Sequence, residues 1–107
     1  MQVSVVGRHV KITDDFRGFI AEKAAKLTRY YDRIQSVETI VDLESDLVSV
    51  EMIVTAAGAG KFVAKEVGTD TRACVDLLMD KMGRQLTRHK EKHRNRKHLA
   101  KKVEPSE

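Results

Sequence analysis

Residues 36–44, SVETIVDLE, and residues 47–55, LVSVEMIVT, alternate apolar and polar side chains, and only Ser45 and Asp46 separate them. Successive side chains of a strand point to opposite faces, so a period of two marks a half-buried strand. Two such runs joined by two residues make a β-hairpin. Val37, Thr39, Val41 and Leu43 share one face with Val48, Val50, Met52 and Val54. Opposite them stand Glu38, Ile40, Asp42 and Glu44, with Leu47, Ser49, Glu51, Ile53 and Thr55 on the second strand. A ribbon with an apolar face and an acidic face needs a cover on the first and water on the second.

Two segments have the period that such a cover requires. In ITDDFRGFIAEKAAKLTRYYDRI (12–34), Phe16, Ile20, Ala24, Leu27, Tyr31 and Ile34 recur at intervals of three and four, which predicts a helix with one buried stripe. Thr13 is its expected N-cap, and Asp14 and Asp15 stand in the first turn, where the helix dipole favours anions. Phe19 and Tyr30 flank the stripe, Lys23 lies at its edge, and Lys26, Arg29 and Arg33 face solvent. Asp70 caps a second, longer helix. On its wheel Val75, Leu78, Met79, Met82 and Leu86 fall within an arc of roughly 100°. Lys81, Arg84, Arg88 and Lys92 occupy the adjoining arc of roughly 80°.

QVSVVG (2–7) is a further short strand closed by Gly7, and KFVAKEV (61–67) another, reached through the Gly-rich turn AAGAG. The order is therefore βαβββα. It predicts an α+β fold, a four-stranded and mostly antiparallel sheet with both helices packed on one face. The first two strands are joined through a helix and run parallel if they are neighbours.

Charge is distributed unevenly over these elements. Residues 81–102 hold ten of the twenty Lys and Arg, with Glu91 as the single carboxylate among them. The rest of the chain is net acidic, although the whole carries +4. The helix dipole favours cations only in the last turn, so it leaves Lys81 and Arg84 unexplained. Self-repulsion in such a stripe is relieved by an anionic partner, and nucleic-acid phosphate is the commonest. If the helices lie side by side, Lys23, Lys26, Arg29 and Arg33 border the same groove, and Tyr30 offers a ring to an unpaired base or simply edges the core.

Composition excludes several classes. A chain of 107 residues, 41% of them hydrophobic, is one domain with a modest core. Its single cysteine, Cys74, excludes an internal disulfide and any multi-thiolate metal site, and reads as a small core residue. No apolar run approaches the roughly 18 residues of a membrane span, and the N-terminus lacks a signal-peptide pattern. A soluble, intracellular monomer is expected. His89 and His93 are spaced for one helix face, but HKEKH is not the zinc-protease pattern and nothing nearby completes a tetrahedron. Both continue the apolar stripe, which favours packing or RNA contact. GAGKF lacks the spacing of a phosphate loop and is better explained as a hairpin turn. No nucleophile–base pair is visible, so neither an enzyme nor a cofactor is expected.

MQVSVVGRHVKIT, AEKAAKLTRYYDRI and above all DKMGRQLTRHKEK resemble the short ribosome hibernation promoting factors, the family that also contains the ribosome-associated inhibitor called protein Y. The resemblance covers residues 1 to about 95 and implies the same βαβββα architecture. It implies a cytoplasmic factor made in stationary phase or under stress. Such a factor occupies the messenger and transfer RNA channel of the small ribosomal subunit, within the 70S ribosome, inhibiting translation and preserving idle ribosomes. The implied contacts to 16S rRNA come from Lys23, Lys26 and Arg29 on the first helix. On the second they come from Lys81, Arg84, Gln85, Arg88, Lys90 and Lys92. The alternative from the residues alone is a general double-stranded RNA binder with no preference for ribosomes.

The sequence departs from the family in two places. Where the family usually has Met-Tyr-Ala-Ala-Ile-Asp, this chain has Thr71-Arg72-Ala73-Cys74-Val75-Asp76, which puts a cation in place of a ring. The second domain of longer members has no counterpart here, so ribosome pairing would need a separate helper protein. Residues 96–107 read as a basic, then acidic, disordered tail outside the 1–95 domain.

Overall fold

The Ser45–Asp46 link closes a hairpin in which Glu44 stands opposite Leu47, and Ser45 takes the left-handed conformation (φ 57°) that so short a connection demands. This computed structural model describes residues 1–102, with side chains as far as Lys92. The strands are β1 (Gln2–Arg8), β2 (Ile34–Glu44), β3 (Leu47–Ala56) and β4 (Gly60–Gly68), and the helices are α1 (Asp14–Lys26) and α2 (Thr71–Lys102). The tail expected from residue 96 has no described side chains, and residues 103–107 lie outside the described residues.

The sheet order is β1-β2-β3-β4, with β1 parallel to β2 and the other pairs antiparallel. The mixed sheet follows from the chain order, because α1 carries the chain back to the starting end of β1 before β2 begins. Side chains of one parity, including Val5, Val37, Thr39, Val41, Val50, Met52, Val54 and Ala64, are buried beneath the helices. Ile20, Ala24 and Leu27 meet them from the first helical segment, and Cys74, Val75, Leu78, Met82 and Leu86 from α2. Each wholly buried aliphatic side chain contributes about 1.5–3 kcal/mol, so this single layer accounts for the fold. Leu43, expected on the inner face, is 40% exposed, because it extends past the helical cover. The opposite face carries Glu38, Asp42, Glu44 and Glu51 together with Arg8, Lys61 and Lys65 and the exposed Val6, Val63 and Val67, and among the described residues no helix covers it.

Both helix starts are capped as their sequences require. Thr13 Oγ1 accepts from the Phe16 amide at 3.1 Å, and Asp70 Oδ1 from the amides of Arg72 and Ala73 at 3.1 and 3.2 Å. The first helix is shorter than its periodicity predicts. It ends at Lys26, tightens into a 3₁₀ turn over Leu27–Arg29, and Ile34 opens β2. Ile34 is nonetheless buried, because a bulge between Ile34 and Ser36 resets the alternation and turns it into the core. A helical interval and a bulged strand thus place the same side chain inside.

The Gly-rich link is a hairpin turn. Ala59 donates to the Ala56 carbonyl at 3.1 Å, and Gly58 takes a φ of 76° that few other residues tolerate.

Candidate nucleic-acid interface

The nine side chains singled out as RNA contacts divide into two groups. Lys81, Gln85 and Lys23 are held by the fold. Lys81 Nζ pairs with Glu66 and donates to the Lys65 carbonyl at 3.1 Å, while Gln85 Nε2 donates to the Val63 carbonyl at 2.9 Å. Two turns of α2 are thereby tied to β4, an outer strand of the sheet. On the other outer strand Arg17 Nη1 donates to the Val5 carbonyl at 3.2 Å. Long polar side chains that engage outer-strand carbonyls also discourage pairing with a foreign strand.

Lys23 ties the helices to each other. Its ammonium lies 3.1 Å from Asp76 of α2 and 5.3 Å from the centroid of the Phe19 ring. Arg72 places its guanidinium 4.5 Å from the same centroid. A planar cation on an aromatic face contributes on the order of 0.5–1 kcal/mol at an exposed site.

The remaining six, Lys26, Arg29, Arg84, Arg88, Lys90 and Lys92, are exposed. None has an ion-pair or hydrogen-bond partner among the described residues. Arg84 and Arg88 line a groove of about 410 Å³ between α2 and Tyr30. In its wall the Tyr30 ring approaches the backbone of Gly83; a Cβ there would lie 3.0 Å from Tyr30 Cζ. His89 turns inward and packs edge-on against Tyr31 and Phe62, with centroids 5.9 and 5.3 Å away. His93 has no described side chain. Among the described residues, no group of three His, Cys, Asp or Glu is placed to hold a metal ion, and no helix is long and apolar enough to cross a membrane.

A second pocket, of about 520 Å³, opens where the two capped helix starts meet, against Phe16 and Val41. It is remote from Arg84 and Arg88 and is no part of the basic surface.

The electrostatic result is a polarised domain. Among the described residues, six of these cations project without a partner from the helical layer, whereas the bare face of the sheet mixes Glu38, Asp42, Glu44 and Glu51 with Arg8, Lys61 and Lys65. A long polyanion is attracted more strongly to the first face than to the second, and the preference falls with salt.

Residues 3–94 match the family described as Sigma 54 modulation protein / S30EA ribosomal protein. The chain is 40% identical over 92 residues to the ribosome hibernation promoting factor of Azotobacter vinelandii, covering 86% of this chain and 85% of that one. It is 38% identical over 92 residues to the factor of the same name from Escherichia coli strain K12, covering 86% and 96%. Among solved structures, the N-terminal domain of Thermus thermophilus protein Y superposes with a TM-score of 0.77 at 28% identity, covering 83% of this chain and 99% of that domain. A ribosomal subunit interface protein from Coxiella burnetii gives 0.78 at 25% identity, covering 85% and 99%.

Proposed function

The chain belongs to the Sigma 54 modulation protein / S30EA ribosomal protein family, and on that premise we propose that it is a cytoplasmic ribosome hibernation factor. It binds the small ribosomal subunit through its helical layer. There it occupies the channel of messenger and transfer RNA against 16S rRNA, inhibits translation and preserves idle ribosomes when growth slows. The chain does this by occupancy, without catalysis.

One observation carries the reading. Arg84 and Arg88 stand exposed on α2 with no partner among the described residues, while Glu38, Asp42, Glu44 and Glu51 of the sheet lie on the opposite face and Glu66, on the covered face, is paired with Lys81. Cations that the fold does not neutralise are available to phosphate, and each phosphate contact releases about one counterion. Lys26, Arg29, Lys90 and Lys92 extend the same surface. Lys81, Gln85 and Lys23 support it from behind by fixing α2 on β4 and on α1.

The test is co-sedimentation with purified small subunits over a range of salt. Binding that falls steeply with salt, and that messenger or initiator transfer RNA competes away, supports the proposal. Equal affinity for an isolated RNA duplex and for ribosomes would favour a general duplex binder instead.

A further inference from the structure

Phosphate binding leaves part of the groove unexplained. Asp80 and Glu91 line it beside Arg84 and Arg88. A surface built only for phosphate gains nothing from carboxylates, which repel the ligand. Among the described residues, no ion pair or hydrogen bond engages Asp80, Arg84, Arg88 or Glu91. Asp80 precedes Gly83 by three residues, so the two lie on one face of α2, a single turn apart.

The Tyr30 ring completes the arrangement. A Cβ on Gly83 would lie 3.0 Å from Tyr30 Cζ and 3.2 and 3.3 Å from the two Cε atoms. Near-equal distances to both Cε atoms place that point above the ring plane, over Cζ. One face of the ring therefore lies on the Gly83 backbone. Tyr30 is 40% exposed, and no other ring or cation covers it among the described residues. Glycine is a poor helix former, about 1 kcal/mol worse than alanine, so its use here goes with the close approach of the ring.

We propose that this groove holds one unpaired nucleotide of an RNA strand, with its base stacked on the open face of Tyr30, its edge read by Asp80 and its flanking phosphates on Arg84 and Arg88. The base class follows from the acceptor. A carboxylate has two acceptor oxygens and no donor, and the guanine edge presents two donors side by side, N1–H and the N2 amino group. Adenine and cytosine offer only an amino group on that edge, and uracil only an imino group. Stacking is tolerant of base identity, so Tyr30 supplies affinity and Asp80 supplies the choice. Arg84 and Arg88 stand one turn apart on α2, a rise of about 6 Å, which sets two cations along one backbone. The inference rests on the proposed function, and it adds a guanosine subsite to it.

The test is a titration of the ¹⁵N-labelled full chain with the RNA pentamers UUGUU, UUAUU, UUCUU and UUUUU at low salt. UUGUU is expected to bind about tenfold tighter than UUUUU, with amide shifts centred on Tyr30 and Gly83. Asp80→Asn should bring the ratio close to one. Tyr30→Ala should weaken UUGUU about tenfold. Equal affinities for the four pentamers, shifts centred elsewhere, or no shift up to millimolar RNA would each overturn the subsite. Wild-type protein is pelleted with small subunits in parallel. Pelleting combined with equal pentamer affinities overturns the subsite alone, whereas failure to pellet overturns the proposed function as well.

Discussion

Lys81 reaches from α2 to β4, where its ammonium pairs with Glu66 and donates to the Lys65 carbonyl. Glu66 is largely shielded, with 19% of its side chain exposed, so the pair is better protected from solvent than an ordinary surface pair. Lys81→Glu would set two carboxylates against each other at this joint and should cost about 1–2 kcal/mol of stability. Arg84→Glu and Arg88→Glu touch no partner among the described residues and should stay within about 0.5 kcal/mol of wild type. Urea unfolding of the three variants checks this. It also decides which of them reports on binding without a folding defect.

The approach of Tyr30 to Gly83 makes a second prediction. Alanine at an open helix position stabilises by about 1 kcal/mol over glycine, but here its Cβ meets the tyrosine ring. Gly83→Ala should therefore stabilise a Tyr30→Ala background by at least about 0.5 kcal/mol more than it stabilises wild type. A double-mutant cycle by thermal unfolding reads the difference. Additive effects would mean that the ring does not lie on the helix.

Thr39 is wholly buried between β1 and β3, and its hydroxyl has no hydrogen-bond partner among the described residues. Stranding a hydroxyl costs about 1–3 kcal/mol, and valine has nearly the same shape. Thr39→Val should raise stability by about 1 kcal/mol, seen as a higher urea midpoint with an unchanged slope.

These positions also show how far the sequence could be read. The two-residue link and the alternation around it were enough for the hairpin, and the Thr13 and Asp70 caps for the helix starts, because each depends on neighbours a few residues away. Ile34 was misplaced because both a helical interval and a bulged strand bury it. The candidate interface is legible as a set of cations, since the wheel separates them from the apolar arc. Their division is not, because it depends on which carbonyls and carboxylates of β4 come within reach. The wheel carries no signal for the division, since Lys92, with no partner among the described residues, falls between Lys81 and Gln85, and Arg88 lies only about 20° from Lys81.

Burial raises the pKa of the Cys74 thiol above its ordinary value of 9.0, and the carboxylates of Glu66 and Asp70 add to the shift. A thiol raised by folding contributes stability that is fully present below the unfolded pKa and is lost as pH rises through the folded one. As pH rises above 9.0 the wild type should therefore lose more stability than Cys74→Ala. The native thiol should also react slowly with a disulfide reagent at pH 8 and fully after unfolding, a contrast that absorbance follows directly.

The central claim is that the open cations of the helical layer, and not net charge, hold the protein on the small ribosomal subunit. Arg84→Glu/Arg88→Glu and Lys61→Glu/Lys65→Glu change the charge equally, the first pair on α2 and the second on the bare face of the sheet. In co-sedimentation with purified small subunits at fixed salt, the α2 variant should lose at least about tenfold in affinity while the sheet variant stays within about twofold. Equal losses, or an α2 variant that still pellets like wild type, would contradict the account.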